Sequence, residues 1–225
     1  MKPNRNDYVV VSATQKSNPL DTDLGKSLEY FDIILDVKTE NTEGLTSVYN
    51  NFIEKWWNKK YIIFAHDDLF IESVNFLDKL QEQFDKGFSV VGLAGGSKCK
   101  KEKPFLWHLV TKKETQSGIV YHRHNVPDIG SVDHPTVFGP APKEVALLDG
   151  LFIAIDREKI ISENILFDEK IKGFHFYDLK FSIDCKKAGL RLTTALIKTI
   201  HNSHGLSKGP DEKFKQAEEY LFSTL

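Results

Sequence analysis

The stretch Tyr61-Ile62-Ile63-Phe64-Ala65 runs directly into His66-Asp67-Asp68, and this junction constrains the chain more than any other part of it. A short, nearly all-apolar run bounded at once by charge fits a strand covered on both faces, as in a parallel sheet. Parallel sheets hold their ligands just beyond the carboxyl ends of their strands. Two adjacent carboxylates repel one another, and a cation or strong donors relieve that repulsion. The same pair would also serve as solvated turn residues ahead of a helix starting near Glu72. Spacing alone leaves both readings open.

The flanking pattern favours a ligand site. Tyr8 to Val11 reads as a buried strand ending in Ser12-Ala13-Thr14, and a helix-like piece spans Leu24 to Phe31. Asp32 to Val37 is a second strand, followed by a polar loop through Gly44. Leu45, Val48, Tyr49, Phe52 and Trp56 then fall on one helical face. A further helix is expected from Glu72 to about Lys86, with Val74, Leu77, Leu80 and Phe84 as its apolar stripe and Gly87 as its stop. Phe88 to Leu93 is a fourth strand and leads into Ala94-Gly95-Gly96. Strand and helix in alternation predict a largely parallel sheet flanked by helices, an α/β fold. Ser12 and Thr14, Asp36, Asp67 and Asp68, and Gly95 and Gly96 would all stand at its ligand edge. Neither G-x-G-x-x-G after the first strand nor G-x-x-x-x-G-K-[ST] is present, which removes the best signatures of dinucleotide redox and P-loop chemistry.

Ser97 to Pro142 differs in character. Four lysines (98, 100, 101, 103) and repeated prolines predict a surface excursion with a hairpin around Gly118 to His124. Its aromatic residues and histidines also suit an acceptor pocket for a sugar ring. Regularity returns at Val145 to Ile155, where Asp149 interrupts an apolar run beside Gly150 and becomes a site candidate. Asp178 opens a helix from about Leu179 to Ala188, where an N-cap role competes with a catalytic one. A last strand is expected from Arg191 to Ile197 and a charged helix from near Pro210. His201 and His204, between them, complement an acidic metal site or sit as ordinary surface histidines.

With 225 residues, 40% hydrophobic and 28% charged, the chain can bury a sizeable core. A net charge of −2 gives no electrostatic case for nucleic acid. Cys99 and Cys185 read as reduced thiols of a cytoplasmic protein. No run approaches the ~20 apolar residues of a membrane span, which leaves peripheral association with a membrane face open.

Several of these pieces, in this order, resemble the GT-A-fold glycosyltransferases, specifically those like glycosyltransferase family 2. They are Asn41-x-x-Gly44-Leu45-x-x-x-Tyr49-Asn50, the His66-Asp67-Asp68 form of a D-x-D motif, Leu148-Asp149-Gly150 with Phe167-Asp168-Glu169, Gly173-Phe174-x-x-Tyr177-Asp178, and His201-x-Ser203-x-Gly205. The likeness spans about Val9 to Gly205. His66 stands where D-x-D has a carboxylate, and Tyr177 precedes Asp178 where the family often has glutamate. The resemblance implies one GT-A domain over 1–225. Its nucleotide-binding half would be 1–96, its acceptor-binding half 97–205, and 206–225 a C-terminal helix.

It further implies metal-dependent transfer of a sugar from a nucleotide-diphosphate donor to a carbohydrate or glycolipid hydroxyl, with inversion. Asp68 and His201, with His66 beside them, would hold Mn²⁺ or Mg²⁺. Asp178 would be the general base. Ser12, Thr14 and Asp36 would hold base and ribose, with Asn41 and Asn50 alongside. Asp67 would contact donor ribose or sugar, and Asp149 would orient donor or acceptor. Separately from the resemblance, the composition of the His201 to Lys208 loop, with Gly205 and Gly209, suits a lid that closes over the donor. The competing readings are an inactive carbohydrate-binding protein, a sugar-phosphate nucleotidyltransferase and a metal-dependent hydrolase. The residues name no donor, acceptor or oligomeric state.

Overall fold

The computed structural model describes residues 2–98, 106–126, 130–202 and 212–224. In chain order the elements are β1 (Tyr8–Ala13), α1 (Asp23–Leu28), β2 (Ile34–Lys38), α2 (Leu45–Lys55), β3 (Tyr61–Ala65), β4 (Leu69–Ile71), α3 (Phe76–Asp85), β5 (Val90–Gly92) and β6 (Ala94–Gly96). They continue with α4 (Trp107–Val110), β7 (Gln116–Val126), β8 (Gly130–Gly139), β9 (Glu144–Val145), β10 (Leu147–Leu148), β11 (Phe152–Asp156), α5 (Arg157–Ser162), α6 (Tyr177–Lys187), β12 (Leu192–Thr194), β13 (Thr199–His201) and α7 (Glu212–Thr224).

A seven-stranded mixed sheet, ordered β2-β1-β3-β11-β5-β12-β9, forms the centre. β1 runs parallel to β2 and β3, and β5 runs parallel to β12. Between them β11 is antiparallel to both β3 and β5. Tyr61 to Ala65 and Phe152 to Ile155 are buried throughout, so two neighbouring strands are covered on both faces. Each fully buried large side chain there is worth about 1.5–3 kcal/mol. Tyr49 of α2 is the aromatic hinge of this core, packing on Phe64, Phe167 and Tyr177.

A second sheet, β10-β6-β7-β13-β4 with β8 on β7, stands at the strand ends of the first. It corrects several expectations. Ser97 to Pro142 is no mere excursion: β7 and β8 form one long antiparallel hairpin, which continues well beyond Gly118 to His124. The helix expected from Glu72 begins at Phe76, because Leu69–Ile71 is first taken up as a strand against β13. Val74 is consequently 86% exposed and no part of the helix stripe. The run from Phe88 splits at Leu93, where the chain leaves one sheet as β5 and joins the other as β6. Likewise Val145 to Ile155 is three strands, and Arg191 to Ile197 yields only Leu192–Thr194 before β13.

Gly44 caps the entry to α2 through contact with a neighbouring loop. A Cβ there would lie 2.9 Å from the Gly173 backbone nitrogen, and Leu45 donates its amide to the Gly173 carbonyl at 3.0 Å. Only glycine permits that approach, which seats the loop ahead of α6. Among the described residues, no helix is long and apolar enough to cross a membrane.

Candidate active site

The His66-Asp67-Asp68 turn is held on three sides. Leu24 donates its amide to the Asp67 carbonyl, Asn202 donates its amide to the Asp68 carbonyl, and His66 donates its amide to the Leu151 carbonyl. The turn then enters β4, and the antiparallel register of β4 with β13 sets Leu69 opposite His201. This pairing is what delivers His201, far away in sequence, to Asp68.

His66, Asp68 and His201 each offer one ligand atom, all within 4.8 Å of one another. His201 Nε2 lies 3.3 Å from Asp68 Oδ1. That oxygen is buried and makes no well-formed hydrogen bond. A buried carboxylate oxygen without a hydrogen-bonded partner is costly, and a divalent cation shared with two imidazoles would satisfy it. The donor set, one carboxylate oxygen and two imidazole nitrogens with room for phosphate oxygens, suits Mn²⁺ and tolerates Mg²⁺. Burial pushes the Asp68 carboxyl up, but the His201 imidazole close beside it, with His66, outweighs burial and holds the group below its ordinary value. Burial holds the His66 imidazole below its ordinary value, against the pull of Asp68. Asp68 is therefore ionised and His66 neutral near pH 7, the forms that bind metal.

Asp67 points elsewhere. Its Oδ2 accepts the Thr14 hydroxyl at 2.5 Å, so the two carboxylates of the motif are divided between two tasks. Thr14 in turn ties the end of β1 to the Asn41 loop through its carbonyl.

The second half of the site is built on Gly150. Its amide donates to Asp178 Oδ2 at 2.8 Å, and its carbonyl accepts the Tyr177 hydroxyl at 2.9 Å. A Cβ on Gly150 would lie 2.4 Å from Tyr177 Oη and 3.0 Å from Asp178 Cβ. Two consecutive residues of the first turn of α6 thus clamp one glycine. Phe176, just before them, is in the left-handed region at φ 66° and is pinned by packing on Phe214 of α7. Burial, then the charge of Asp149, pushes the Asp178 carboxyl up to about 7. Asp178 is not the N-cap of α6, a position held by Phe176.

The remaining candidates occupy different places. Ser12 gives its hydroxyl to the Ala65 carbonyl at 2.7 Å and is buried, bracing β1 against β3. Asn41 is buried and closes its own loop onto Glu43. Asn50 bonds both the amide and the carbonyl of Phe167, latching α2 to the segment before α6. Asp36 is tied to the Trp56 indole at 2.7 Å and the Lys55 ammonium at 2.6 Å. It lines a groove along β2 and α2 that includes none of the three clustered ligands. Asp149 is half-buried and accepts the Leu151 amide at 3.1 Å. His204 and all but the start of the expected lid lie outside the described residues, as does Cys99.

Sequence reasoning missed two participants. Tyr177 reaches both Gly150 and His66, and its only signal was its place beside Asp178. His122 of β7 lies with its ring 5.6 Å from that of His201 and tilted 50° to it, set there by the parallel register of β7 with β13.

A family model described as a glycosyltransferase-like family matches residues 4–222. No curated protein sequence matches the chain. Among solved structures, GalNAc-T7 with UDP, GalNAc and Mn²⁺ is similar at a TM-score of 0.58 and 12% identity, covering 98% of this chain and 42% of that one. A197 from STIV is similar at a TM-score of 0.52 and 14% identity, covering 87% of this chain and 85% of that one. At such identities these likenesses establish the fold, which is GT-A. Given a match over nearly its whole length, the chain belongs to the glycosyltransferase-like family, of the family 2-like kind.

Proposed function

We propose that the protein is a cation-dependent, inverting glycosyltransferase that moves a sugar from a nucleotide-diphosphate donor to a carbohydrate or glycolipid hydroxyl. The observation that carries this reading is the orphaned Asp68 Oδ1 within reach of His66 and His201, with Asp178 bracketing Gly150 nearby. Mn²⁺ or Mg²⁺ held by Asp68, His201 and His66 would supply Lewis-acid neutralisation of charge on the departing diphosphate.

The chain's own groups do the rest. Asp67, oriented by Thr14, would accept hydrogen bonds from donor ribose or sugar hydroxyls. Asp149 would orient the donor sugar beside the acceptor. Ser12, Asn41 and Asn50 would support the donor site from behind, and Asp36 would serve the nucleotide only by exchanging its Trp56 and Lys55 partners. Asp178 would take the acceptor proton as the new C–O bond forms at the anomeric carbon. The bond to diphosphate breaks with its electron pair leaving on the phosphate oxygen, and single displacement inverts the carbon. A base poised near 7 matches that duty at neutral pH. Residues 1–96 would form the donor half and 97–205 the acceptor half of one catalytic unit.

The test is a thermal-shift panel of nucleoside diphosphates and their sugars, each with Mn²⁺ and with chelator. Selective stabilisation by one nucleotide, lost on chelation, is the expected result, because whatever binds the native state raises its melting temperature. A flat panel overturns the reading. Consumption of nucleotide sugar at a rate no acceptor changes would make the protein a hydrolase instead.

A further inference from the structure

Tyr177 stands between the two halves of the site. Its side chain is 2% exposed, so the hydroxyl has no access to bulk water. The Gly150 carbonyl oxygen and His66 Nε2 each lie 2.9 Å from it, and the Tyr49 hydroxyl, which can give as well as take a proton, is a further hydrogen-bond neighbour. A phenol has one proton to give. The carbonyl oxygen of Gly150 can only accept, so that proton goes to it. The phenol oxygen then has only lone pairs for His66, and His66 Nε2 must carry a proton to donate. A neutral imidazole protonated at Nε2 has its free lone pair on Nδ1.

We propose that Tyr177 is a positioning residue that sets the tautomer of His66, holding the proton on Nε2 and leaving the Nδ1 lone pair for a cation shared with Asp68 and His201. The inference rests on the cation-dependent reading above for its purpose, though not for the hydrogen-bond geometry. Metal-binding imidazoles characteristically donate their other N–H to an oxygen acceptor, which fixes ring and tautomer and raises ligand basicity. Here that acceptor is the phenol, and its own donation to Gly150 O makes it one.

The same chain reaches the base. His66 Nε2–H donates to Tyr177 Oη, Tyr177 Oη–H donates to Gly150 O, and Gly150 N–H donates to Asp178 Oδ2. Only four residues link the cation seat to the general base, and three of the links are hydrogen bonds of 2.8 or 2.9 Å. A shift of Tyr177 would therefore disturb both ends together.

The experiment is long-range ¹H–¹⁵N NMR on protein labelled at its 8 histidines, with the His66 signal assigned by its loss in His66→Gln. Wild type is expected to show His66 protonated at Nε2 only, and Tyr177→Phe to show a mixture of tautomers. Mn²⁺ affinity, measured calorimetrically without any donor, should fall about 10–100-fold in Tyr177→Phe. A His66 protonated at Nδ1 in wild type overturns the proposal with no variant needed. So does a Tyr177→Phe protein that keeps both tautomer and affinity. If the tautomer follows Tyr177 while wild type binds no divalent cation, the tautomer assignment stands and the cation-dependent reading falls.

Discussion

Asp178 Oδ2 accepts the Gly150 amide at 2.8 Å, which anchors the proposed base against the glycine that Tyr177 also grips. Burial and the neighbouring Asp149 push this carboxyl from an ordinary 3.8 up to about 7. The direction fixes the sign of a stability effect. Below the unfolded value the group is protonated in both states and costs nothing. As pH rises toward 7 the unfolded chain ionises while the folded one resists, so stability is lost through that window and levels off above it.

Asp178→Asn keeps the oxygen for the Gly150 amide and removes the titration. In chelator, the variant is expected to melt above wild type at pH 8, by on the order of 2–4 kcal/mol before allowance for partial solvent screening. The advantage should shrink toward pH 4. Transfer should fall about 10²–10⁴-fold with donor binding intact. Equal melting curves at both pH values would show that the carboxyl is not strained by its surroundings, and near-normal transfer would remove it from the chemistry.

Gly150→Ala tests the clamp itself. The new methyl would sit 2.4 Å from Tyr177 Oη and 2.7 Å from Cζ, with the aromatic ring hemmed in by Tyr49 and Phe167. Overpacking of this kind costs about 1–3 kcal/mol, or roughly 2–4 °C of melting temperature per kcal/mol at this chain length. Transfer should drop by more than the lost stability explains, because Tyr177 and Asp178 move together. A fully active, equally stable variant would mean that the first turn of α6 yields freely.

Much of this was legible in the residues. The β3 run ends at Ala65 as read, because a two-faced apolar strand cannot continue into His66-Asp67-Asp68. The helical face of α2 was equally plain, since its period is carried by five large side chains. What stayed hidden was sheet membership. Nothing in Leu69-Phe70-Ile71 distinguishes a strand from a helix entry, and its partner β13 lies far down the chain. That pairing is nonetheless what carries His201 to Asp68. The crossing at Leu93 was also unreadable, because Val90 to Gly96 is equally apolar in both sheets. Asn50 shows the converse limit: a motif residue expected alongside the nucleotide also bonds the backbone of Phe167, a structural duty that its sequence position did not announce. Short polar side chains look alike in sequence whether they meet a ligand or a backbone.

Thr14→Val separates the two motif carboxylates. It removes the 2.5 Å hydrogen bond to Asp67 and leaves Asp68 with its histidines. A hydrogen bond to a charged group is worth about 1.5–3 kcal/mol, so the donor KM should rise roughly 10-fold or more while Mn²⁺ affinity holds. A parallel loss of Mn²⁺ affinity would place Asp67 in the cation site as well.

Asp68→Ala addresses the cation directly. In wild type, a cation at about 100 times its dissociation constant adds roughly 2.7 kcal/mol of stability, which for a domain of this size is about 5–10 °C in melting temperature. The variant should show no such rise, with or without nucleotide. Asp67→Asn should keep most of it, because that carboxylate faces Thr14. The apo protein gives a second reading. Asp68 is held below its ordinary value mainly because His201 and His66 outweigh burial, so its ionised form stabilises the fold above the unfolded pKa, and that contribution is lost as pH falls through the folded one. Below that range wild type and Asp68→Ala should therefore converge in stability, even as their responses to Mn²⁺ at neutral pH stay apart. Retention of the Mn²⁺ response by Asp68→Ala would move the cation off the His66–Asp68–His201 cluster altogether.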